Sequence, residues 1–309
     1  MKKKKKKGVA AEVALGAELE SIKKAGIVAM FADDELMDLL VLKGGNAMDV
    51  VLQVNSRASV DLDFSVGDDL DYGVAGPKLE RALQSTFDLH GYVAFDVKMS
   101  PRPGKMPDEL AAFWGGYLVE FKLISKQRAD EVGRDLETMR REAIRLGEGS
   151  KFTIDISRHE YVEDKREHEL DGYRIYVYSP EMIACEKLRA ICQQMPEYAD
   201  IIKRNGLGSQ RARDFVDIEA LVRKFGVDLA TDRAKHIVQE MFALKRVPLQ
   251  LLGLIPGTRD FHALGYDEVK SAMKPGVKVE PFDYYFEFVI DQCKKLEAVW
   301  QMKPPAAAV

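Results

Sequence analysis

The most constraining feature of this sequence is the stretch 59–66, in which polar and apolar residues alternate with a period of two. That period predicts a β-strand with one polar and one apolar face. Ser59, Asp61 and Asp63 then share the polar face. Two carboxylates on one strand face repel each other, and a divalent cation removes that cost. Ligands made only of oxygen suit Mg²⁺ or Mn²⁺, so the stretch predicts a metal-holding strand.

A pair of glycines, Gly44 and Gly45, precedes this strand and follows the apolar run 39–42. Glycines at a strand-to-helix junction let the backbone approach a ligand and turn its N–H groups toward anionic oxygens. A phosphate cradle followed by a metal-holding strand is typical of a nucleotidyltransferase. The alternative interpretation of the stretch is a solvated edge strand after a turn.

Two further segments are informative about the first half of the chain. Residues 151–157 alternate like a second strand, which sends Asp155 to the face opposite the apolar side chains. Asp155 is therefore either a third metal-binding carboxylate or an exposed strand residue. The charged segment 126–146 predicts one surface helix that is held by a sparse apolar stripe.

Helix signals dominate the second half. Ser179 as N-cap and Pro180 at the first helical position predict a helix start, and Lys187 projects from the edge of that helix. A second helix runs from 211 to its stop at Gly226. On these signals alone, Lys187 is a solvated helix lysine.

The stretch 42–64 resembles the Gly-Gly…Asp-x-Asp signature of the polymerase-β-like nucleotidyltransferases. Its form is similar to the AbiEii/AbiGii branch, which includes the MenT toxins of toxin–antitoxin systems. The segments Glu-Lys-Leu-x-Ala at 186–190 and Arg-x-Arg-Asp-Phe-x-Asp-Ile-x-x-Leu at 211–221 resemble the late motifs of that branch. The gap from Gly45 to Asp61 is longer than the superfamily's usual spacing, although long gaps fit this branch.

The resemblance implies an α/β (α+β) fold: a mixed-sheet nucleotidyltransferase core flanked by helices, with a helical C-terminal region. We expect the core at residues 9–178 and, at 179–309, a mainly helical domain that completes the active-site cleft. Residues 1–8 are expected to form a disordered basic tail. The lysine run at 2–7 could instead contact nucleic acid, because lysines bind phosphates without sequence preference.

The resemblance also implies roles for individual residues. The catalytic set is Asp61, Asp63, Lys187 and Asp214. The metal set is Asp61, Asp63 and Asp155. The nucleotide-binding set is Gly44, Gly45, Ser59, Lys187 and Arg213. Lys187 would place a point charge on the triphosphate. Asp214 would orient Lys187 or act near the acceptor; apart from the family pattern it is a first-turn acid favoured by the helix dipole.

The implied reaction moves an NMP or dNMP from a nucleoside triphosphate to an acceptor hydroxyl and releases pyrophosphate, with Mg²⁺ or Mn²⁺ as cofactor. The implied context is the toxin or effector of a bacterial toxin–antitoxin or phage-defence system, with tRNA or another nucleic acid as acceptor and a cognate antitoxin as partner. One alternative is a template-independent polymerising enzyme that makes an oligonucleotide signal. Another is a nucleotide-binding or partner-binding scaffold with weak turnover.

Composition bounds the class of protein more than its activity. The 309 residues carry a net charge of −4, which gives no overall attraction to nucleic acid. Three cysteines form no Cys-x-x-Cys motif and no disulfide framework, so we expect a cytoplasmic protein. No apolar run approaches the roughly 20 residues that span a bilayer.

Overall fold

The computed structural model describes residues 2–54, 61–145, 149–274 and 276–301, with side chains from residue 16 onward. Its described strands form one mixed sheet, which confirms the expected fold class. The strands are β1 (Val41–Lys43), β2 (Leu62–Ser65), β3 (Tyr92–Arg102), β4 (Gly116–Ser125), β5 (Phe152–Ser157), β6 (Arg166–Leu170) and β7 (Tyr173–Val177). Their order across the sheet is β3-β4-β5-β2-β1-β7-β6.

Helices pack around this sheet and make up most of the chain after residue 179. They are α1 (Lys2–Met30), α2 (Asp34–Leu39), α3 (Gly44–Asn46), α4 (Tyr72–Leu89), α5 (Asp108–Ala111), α6 (Lys126–Glu131), α7 (Leu136–Glu142), α8 (Pro180–Cys192), α9 (Pro196–Ile201), α10 (Ala212–Phe225), α11 (Asp232–Leu244), α12 (Arg259–Ala263), α13 (Tyr266–Ser271), α14 (Phe282–Lys295) and α15 (Glu297–Trp300). A π-helical turn covers Ala47–Val51, and a 3₁₀ stretch covers Leu249–Thr258.

Two helix expectations differ from the structure. The lysine run 2–7, expected to be a disordered tail, is the first part of α1. The segment 126–146 contains two short helices, α6 and α7, instead of one. The chain breaks between them because Gly133 and Arg134 both have left-handed backbone conformations, with φ of 62° and 56°, which no α-helix tolerates.

The hydrophobic core runs without interruption from the sheet into the C-terminal helices. Phe64 of β2, Leu188 of α8, Phe215 of α10 and Val289 of α14 all belong to one buried cluster. The division at residues 178 and 179 coincides with the end of β7 and the N-cap of α8. Because one core spans that point, the division into two domains stays a prediction.

Apolar side chains of the C-terminal helices belong to this same core. Their cysteines, Cys185, Cys192 and Cys293, are buried free thiols. Within the described ranges, no helix combines the length and the apolar character that a membrane crossing requires.

Candidate active site

Three neighbouring strands bring charged residues into one row. Lys43 of β1 lies opposite Asp63 of β2 in an antiparallel pair, and Asp63 lies beside Asp155 of β5 in a parallel pair. Asp61 precedes β2, and its Oδ1 accepts a hydrogen bond of 3.3 Å from Thr153 Oγ1 of β5. The three residues of the predicted metal set therefore lie along one face of two adjacent strands.

Local side-chain alternation places these carboxylates on that face. Leu62 and Phe64 of β2 are buried in the core, as are Ile154 and Ile156 of β5. Side chains on a strand alternate between its two faces, so Asp63 must point away from that core. The polar face predicted for β2 and β5 is thus confirmed.

Asp63 occupies an environment that disfavours its charge. Burial raises the pKa of Asp63 to about 6; Lys43 opposes that shift, and the carboxylates of Glu186, Asp155 and Asp61 reinforce it. A carboxylate crowded by other carboxylates is stabilised by a cation. This electrostatic crowding is what a cation-binding position requires.

The oxygen donors fit a hard divalent cation in type. Asp61, Asp63 and Asp155 offer carboxylate oxygens, the ligands that Mg²⁺ and Mn²⁺ prefer. In the part of the chain that is described, however, no three acidic, histidine or cysteine side chains are already gathered around one metal position. Asp155 Oδ1 instead accepts a hydrogen bond of 2.8 Å from Arg102 Nη1. The Arg102 side chain is 62% exposed, and such surface pairs exchange at little cost.

The glycine pair lies at the predicted strand-to-helix junction. β1 ends at Lys43 and α3 begins at Gly44. Gly44 has a φ of +68°, and a Cβ atom there would overlap Asp63 Oδ2. Asn46, at the end of α3, donates from Nδ2 to the carbonyl oxygen of Asp61 at 2.6 Å. The junction therefore contacts both strand aspartates directly. Ser59, predicted to bind nucleotide, lies outside the described residues.

Lys187 is buried, in contrast to the predicted position at the helix edge. It is only 4% exposed, and its Nζ donates to Asp214 Oδ1 at 3.0 Å and to Asp217 Oδ2 at 2.7 Å. Asp214 Oδ2 also accepts from Arg211 Nε at 2.5 Å. Although burial opposes the shift, Arg211 and Lys187 lower the pKa of Asp214 to about 2. The anticipated contact between Lys187 and Asp214 exists, inside a larger ion cluster.

A cavity of about 470 Å³ lies between the sheet and the C-terminal helices. Asp155 and Arg211 both line it, so it joins the strand carboxylates to the cluster around Asp214. The described charged residues of its lining are five cations and three acids: Lys43, Arg102, Arg189, Arg211, Lys245, Asp155, Glu160 and Glu186. This excess of cations suits an anionic ligand. Asp61 instead lines a smaller hollow of about 210 Å³ beside α1.

The floor of the cavity is a buried charge cluster centred on Glu160. Glu160 accepts from Arg189 at 2.7 Å and lies 3.6 Å from Lys43 and 3.4 Å from Lys245. Burial opposes the charge of Glu160, but these three cations hold its pKa far below the usual range. Lys43 also lies 3.5 Å from Glu186. Burial alone would lower the pKa of Lys43, yet the two glutamates raise it well above the ordinary value.

Arg213, predicted to bind nucleotide, does not line the charged cavity. Its side chain is exposed and borders a separate groove of about 230 Å³ with Gly265 and Glu268. Arg211, two residues earlier, lines the cavity in its place. The sequence carried a signal for Arg211, which lies three residues before Asp214 and hence on the same helical face.

A mixed sheet with adjacent carboxylates on its central strands, beside a strand–glycine–helix junction and a cationic cavity, defines the nucleotidyltransferase class of enzyme. Comparison with known families agrees: the family model "Nucleotidyl transferase AbiEii toxin, Type IV TA system" matches residues 27–288. The chain belongs to the AbiEii family and is a nucleotidyltransferase, which confirms the resemblance of its motifs. No curated protein matches the chain.

Three solved structures are distantly similar to this chain. The JHP933 protein of Helicobacter pylori is 16% identical, with a TM-score of 0.43 and 92% of each chain covered. A provisionally assigned H. pylori nucleotidyltransferase is 14% identical, with a TM-score of 0.43 and coverage of 94% of this chain and 98% of that one. An antigenic nucleotidyltransferase-like protein of Paracoccidioides brasiliensis is 13% identical, with a TM-score of 0.37 and coverage of 84% and 94%.

Proposed function

We propose that this enzyme moves an NMP or dNMP from a nucleoside triphosphate to an acceptor hydroxyl, releases pyrophosphate and depends on Mg²⁺ or Mn²⁺. The observation that carries the proposal is the side-by-side placement of Asp63 and Asp155 on parallel strands, with Asp155 in the wall of a cation-rich cavity. Carboxylates suit a metal, and the cations suit a polyphosphate. The two requirements of nucleotidyl transfer therefore meet at one place.

Asp61, Asp63 and Asp155 would hold the metal. Asp63 has the strongest reason to bind a cation, because burial and three neighbouring carboxylates disfavour its isolated charge. When bound, Mg²⁺ supplies positive charge that stabilises the transferred phosphoryl group and lowers the pKa of the attacking hydroxyl. For the aspartates to reach a cation, Arg102 must release Asp155, and the exposure of its side chain allows that movement.

The glycine junction and the basic side chains would bind the triphosphate. Gly44 and Gly45 present backbone to the phosphates, and Ser59 follows in the same role by family likeness. The family pattern gives the same role to Lys187, whose amine Asp214 and Asp217 hold beside the cavity wall, and to Arg213, which borders a separate groove and would have to reach the phosphates from outside the charged cavity. Arg211 adds a guanidinium in the cavity wall, held by Asp214. Arginine binds phosphate oxygens with a planar array of donors.

Transfer itself makes one bond and breaks one. The acceptor oxygen bonds to the α-phosphorus, the bond from that phosphorus to the β-bridging oxygen breaks, and pyrophosphate leaves. The hydroxyl proton passes to a carboxylate of the strand row or to water. Positioning and fixed charge supply most of the rate acceleration in such reactions. Residues of the core at 9–178 and of the helices at 179–309 would together provide this positioning and charge.

The family match carries the toxin–antitoxin assignment. We extend it to a cytoplasmic effector that acts in phage defence, modifies the 3′ end of tRNA and is controlled by a cognate antitoxin. The three buried free thiols suit a reducing compartment.

The test is incubation of the purified protein with each of the four NTPs and four dNTPs, Mg²⁺ and total tRNA, followed by pyrophosphate assay and mass spectrometry of the tRNA and the protein. We expect pyrophosphate release and a mass gain of one nucleotide on the acceptor. A ladder of additions would indicate polymerisation. If no combination releases pyrophosphate with Mg²⁺ or Mn²⁺, the proposal is wrong and the scaffold alternative stands.

Asp61→Ala tests the metal assignment, because it should lower the transfer rate without changing the stability of the fold. Asp61 is exposed, so the variant should unfold like the wild type. We expect transfer to fall at least about a hundredfold, since each ~1.4 kcal/mol of lost stabilisation lowers the rate tenfold. Asp68→Ala, at an exposed acid beyond the same strand, is the matched control and should retain full rate. A rate for Asp61→Ala within threefold of wild type would refute the metal assignment.

A further inference from the structure

Arg102, the last residue of β3, reaches across the sheet to a residue of the predicted metal set. In the strand register it lies beside Gly116 of β4, and Gly116 lies beside Ser157 of β5. Cross-strand neighbours share one face of a sheet, and Gly116 has no side chain on that face. The Arg102 side chain therefore crosses β4 beside a glycine and donates from Nη1 to Asp155 Oδ1 at 2.8 Å.

Arg102 is the most exposed cation in the described lining of the charged cavity. Its side chain is 62% exposed, and the side chains of the other four cations are at most 33% exposed: Lys43, Arg189, Arg211 and Lys245. Three of those four lie against Glu160, and the fourth is bonded to Asp214. An exposed ion pair contributes little to stability. Arg102 is therefore the cation of this lining that can turn to a ligand at the lowest cost.

The contact between Arg102 and Asp155 opposes a divalent cation in two ways. The guanidinium occupies Asp155 Oδ1, an oxygen that a cation would bind. Its positive charge would also repel a cation at that position. The Asp155 side chain is 34% exposed, so its carboxylate becomes accessible from solvent once Arg102 leaves. Cation binding and the Arg102 contact are thus alternatives at this oxygen.

A polyphosphate offers the Arg102 guanidinium a stronger partner than Asp155 does. The contact with Asp155 uses Nη1, whereas a guanidinium carries five N–H donors in a planar array that matches pairs of phosphate oxygens. A triphosphate also carries several negative charges where Asp155 carries one. Because Arg102 and Asp155 both line the charged cavity, a triphosphate in that cavity lies within reach of the guanidinium. Its arrival would draw Arg102 away from Asp155.

We propose that Arg102 binds the triphosphate of the nucleotide and that, without nucleotide, it pairs with Asp155 and weakens cation binding there. This inference rests on the proposed function, because it takes the charged cavity as the triphosphate site and Asp155 as a metal ligand. Asp155 then becomes available when the triphosphate arrives. The protein without nucleotide holds a divalent cation weakly, and the nucleotide and the cation enter the site together.

The first measurement is Mn²⁺ binding to the phosphate-free protein, followed by the electron paramagnetic resonance signal of free Mn²⁺. Arg102→Gln removes the competing charge from Asp155. We expect the variant to bind Mn²⁺ about threefold more tightly than the wild type, the effect of an exposed ion pair. No nucleotide and no turnover enter this measurement, so it reports on the metal-binding carboxylates alone.

The second measurement is calorimetric binding of inorganic tripolyphosphate in EDTA, which removes divalent cations. We expect Arg102→Gln to bind tripolyphosphate about tenfold more weakly than the wild type, since a hydrogen bond to a charged group contributes about that much. The Mn²⁺ and tripolyphosphate affinities therefore change in opposite directions. A variant that only distorts the site would lose affinity for both ligands.

Side-chain NMR tests whether Arg102 contacts the phosphate directly. The Nε–H signal of Arg102 is assigned by its absence from the spectrum of Arg102→Gln. Tripolyphosphate in EDTA should shift this signal in the wild type. A signal that stays in place at saturating tripolyphosphate would overturn the proposed contact, because Arg102 would then act only through its charge at a distance.

Arg174→Gln is the matched control for Arg102→Gln. Arg174 is an exposed arginine of β7 that pairs with Glu167, and it is not part of the described lining of the charged cavity. The substitution removes the same charge from the protein, and both affinities should equal those of the wild type within error.

The outcomes separate this inference from the proposed function. If the wild type binds neither Mn²⁺ nor tripolyphosphate, the proposed function fails and this inference fails with it. If the wild type binds both ligands and Arg102→Gln behaves like Arg174→Gln, the inference alone is wrong. Weaker binding of both ligands by Arg102→Gln would show a structural role for Arg102. A change in only one of the two affinities would also overturn the inference, because the exchange of partners requires both.

Discussion

Gly44 and Asp63 are packed so closely that a Cβ atom on the glycine would overlap Asp63 Oδ2 and lie 3.0 Å from Asp63 Cβ. The contact joins the helix start after β1 to the strand that carries the carboxylates. Gly44 is thus required for two independent reasons. Its φ of +68° is strained for any residue with a side chain, and its missing side chain leaves space for the carboxylate.

Gly44→Ala tests whether that space matters for catalysis. We expect the alanine to displace the Asp63 carboxylate and to lower nucleotidyl transfer at least tenfold. The backbone strain should also cost about 1–2 kcal/mol of unfolding free energy. The measurements are the rate of pyrophosphate release and the midpoint of urea unfolding.

Gly91→Ala is the matched control for Gly44→Ala. Gly91 lies between α4 and β3 with a φ of +80°, and a Cβ atom there meets nothing within 4 Å. It should lose a similar amount of stability and keep its transfer rate. Equal losses of rate in the two variants would show that strain alone, and not the carboxylate contact, explains the effect at Gly44.

Local signals in the sequence predict two central strands of the sheet and the main helix ends. The alternation at 151–157 places Phe152 and Ile156 in the core as expected. Ser179 caps α8 through a hydrogen bond to the Met182 N–H, and Gly226 ends α10 with a φ of 64°. These features depend on neighbours within a few residues, so the sequence contains them.

Features that depend on distant packing leave no local signal in the sequence. β6 was not predicted, because its residues are charged and the strand pairs only with β7 at the edge of the described sheet. Lys187 was expected at a helix edge, but Asp214 and Asp217 enclose its amine. The family pattern predicts a nucleotide contact for Arg213, whereas it is Arg211 that lines the charged cavity. Which side of α10 meets the cavity depends on tertiary packing, and the sequence pattern alone leaves that open.

The ion cluster around Lys187 predicts a large stability effect. Lys187→Met would leave Asp214 and Asp217, each 1% exposed, with less compensation for their buried charge. Removing one partner from a buried ion pair typically costs about 3–5 kcal/mol. We expect a loss of that size in the free energy of unfolding, measured with urea.

Two further variants test whether the stability loss of Lys187→Met comes from the buried charges. Lys151→Met removes an exposed lysine that is paired with Glu120, and should change stability by less than about 0.5 kcal/mol. Adding Asp217→Asn to Lys187→Met removes one uncompensated charge and should recover part of the loss. A cost below about 1 kcal/mol for Lys187→Met would contradict the buried cluster and return Lys187 to the role of an exposed helix lysine.

Lys245, at the end of α11, is the cation of the charged cavity whose charge changes near physiological pH. Its Nζ donates to the Arg158 carbonyl oxygen at 2.6 Å and lies 3.4 Å from Glu160 Oε1. Burial lowers the pKa of Lys245 to about 8; Glu160 opposes this shift, and Arg189 and Lys43 add to it. The amine is thus mainly charged at pH 7 and mainly neutral at pH 9.

Anion binding should therefore weaken as the pH rises through about 8. We expect Lys245→Met to bind inorganic tripolyphosphate about tenfold more weakly than the wild type at pH 7, since a hydrogen bond to a charged group contributes that much. The ratio of the wild-type affinity to the Lys245→Met affinity should shrink toward one by pH 9. Because tripolyphosphate changes its own charge equally in both measurements, the ratio reports only the lysine. Lys235→Met, on the same helix, should match the wild type at both pH values.

The pH dependence of the unfolding free energy gives an independent check on the pKa of Lys245. The folded pKa of Lys245 lies below the unfolded value of 10.5, so between about pH 8 and 10.5 the unfolded chain binds more protons. The free energy of unfolding of the wild type should then rise with pH relative to Lys245→Met across that window. A constant difference between the two proteins from pH 7 to 10 would show that this lysine keeps an ordinary pKa. The cavity would then hold its cationic charge throughout that range.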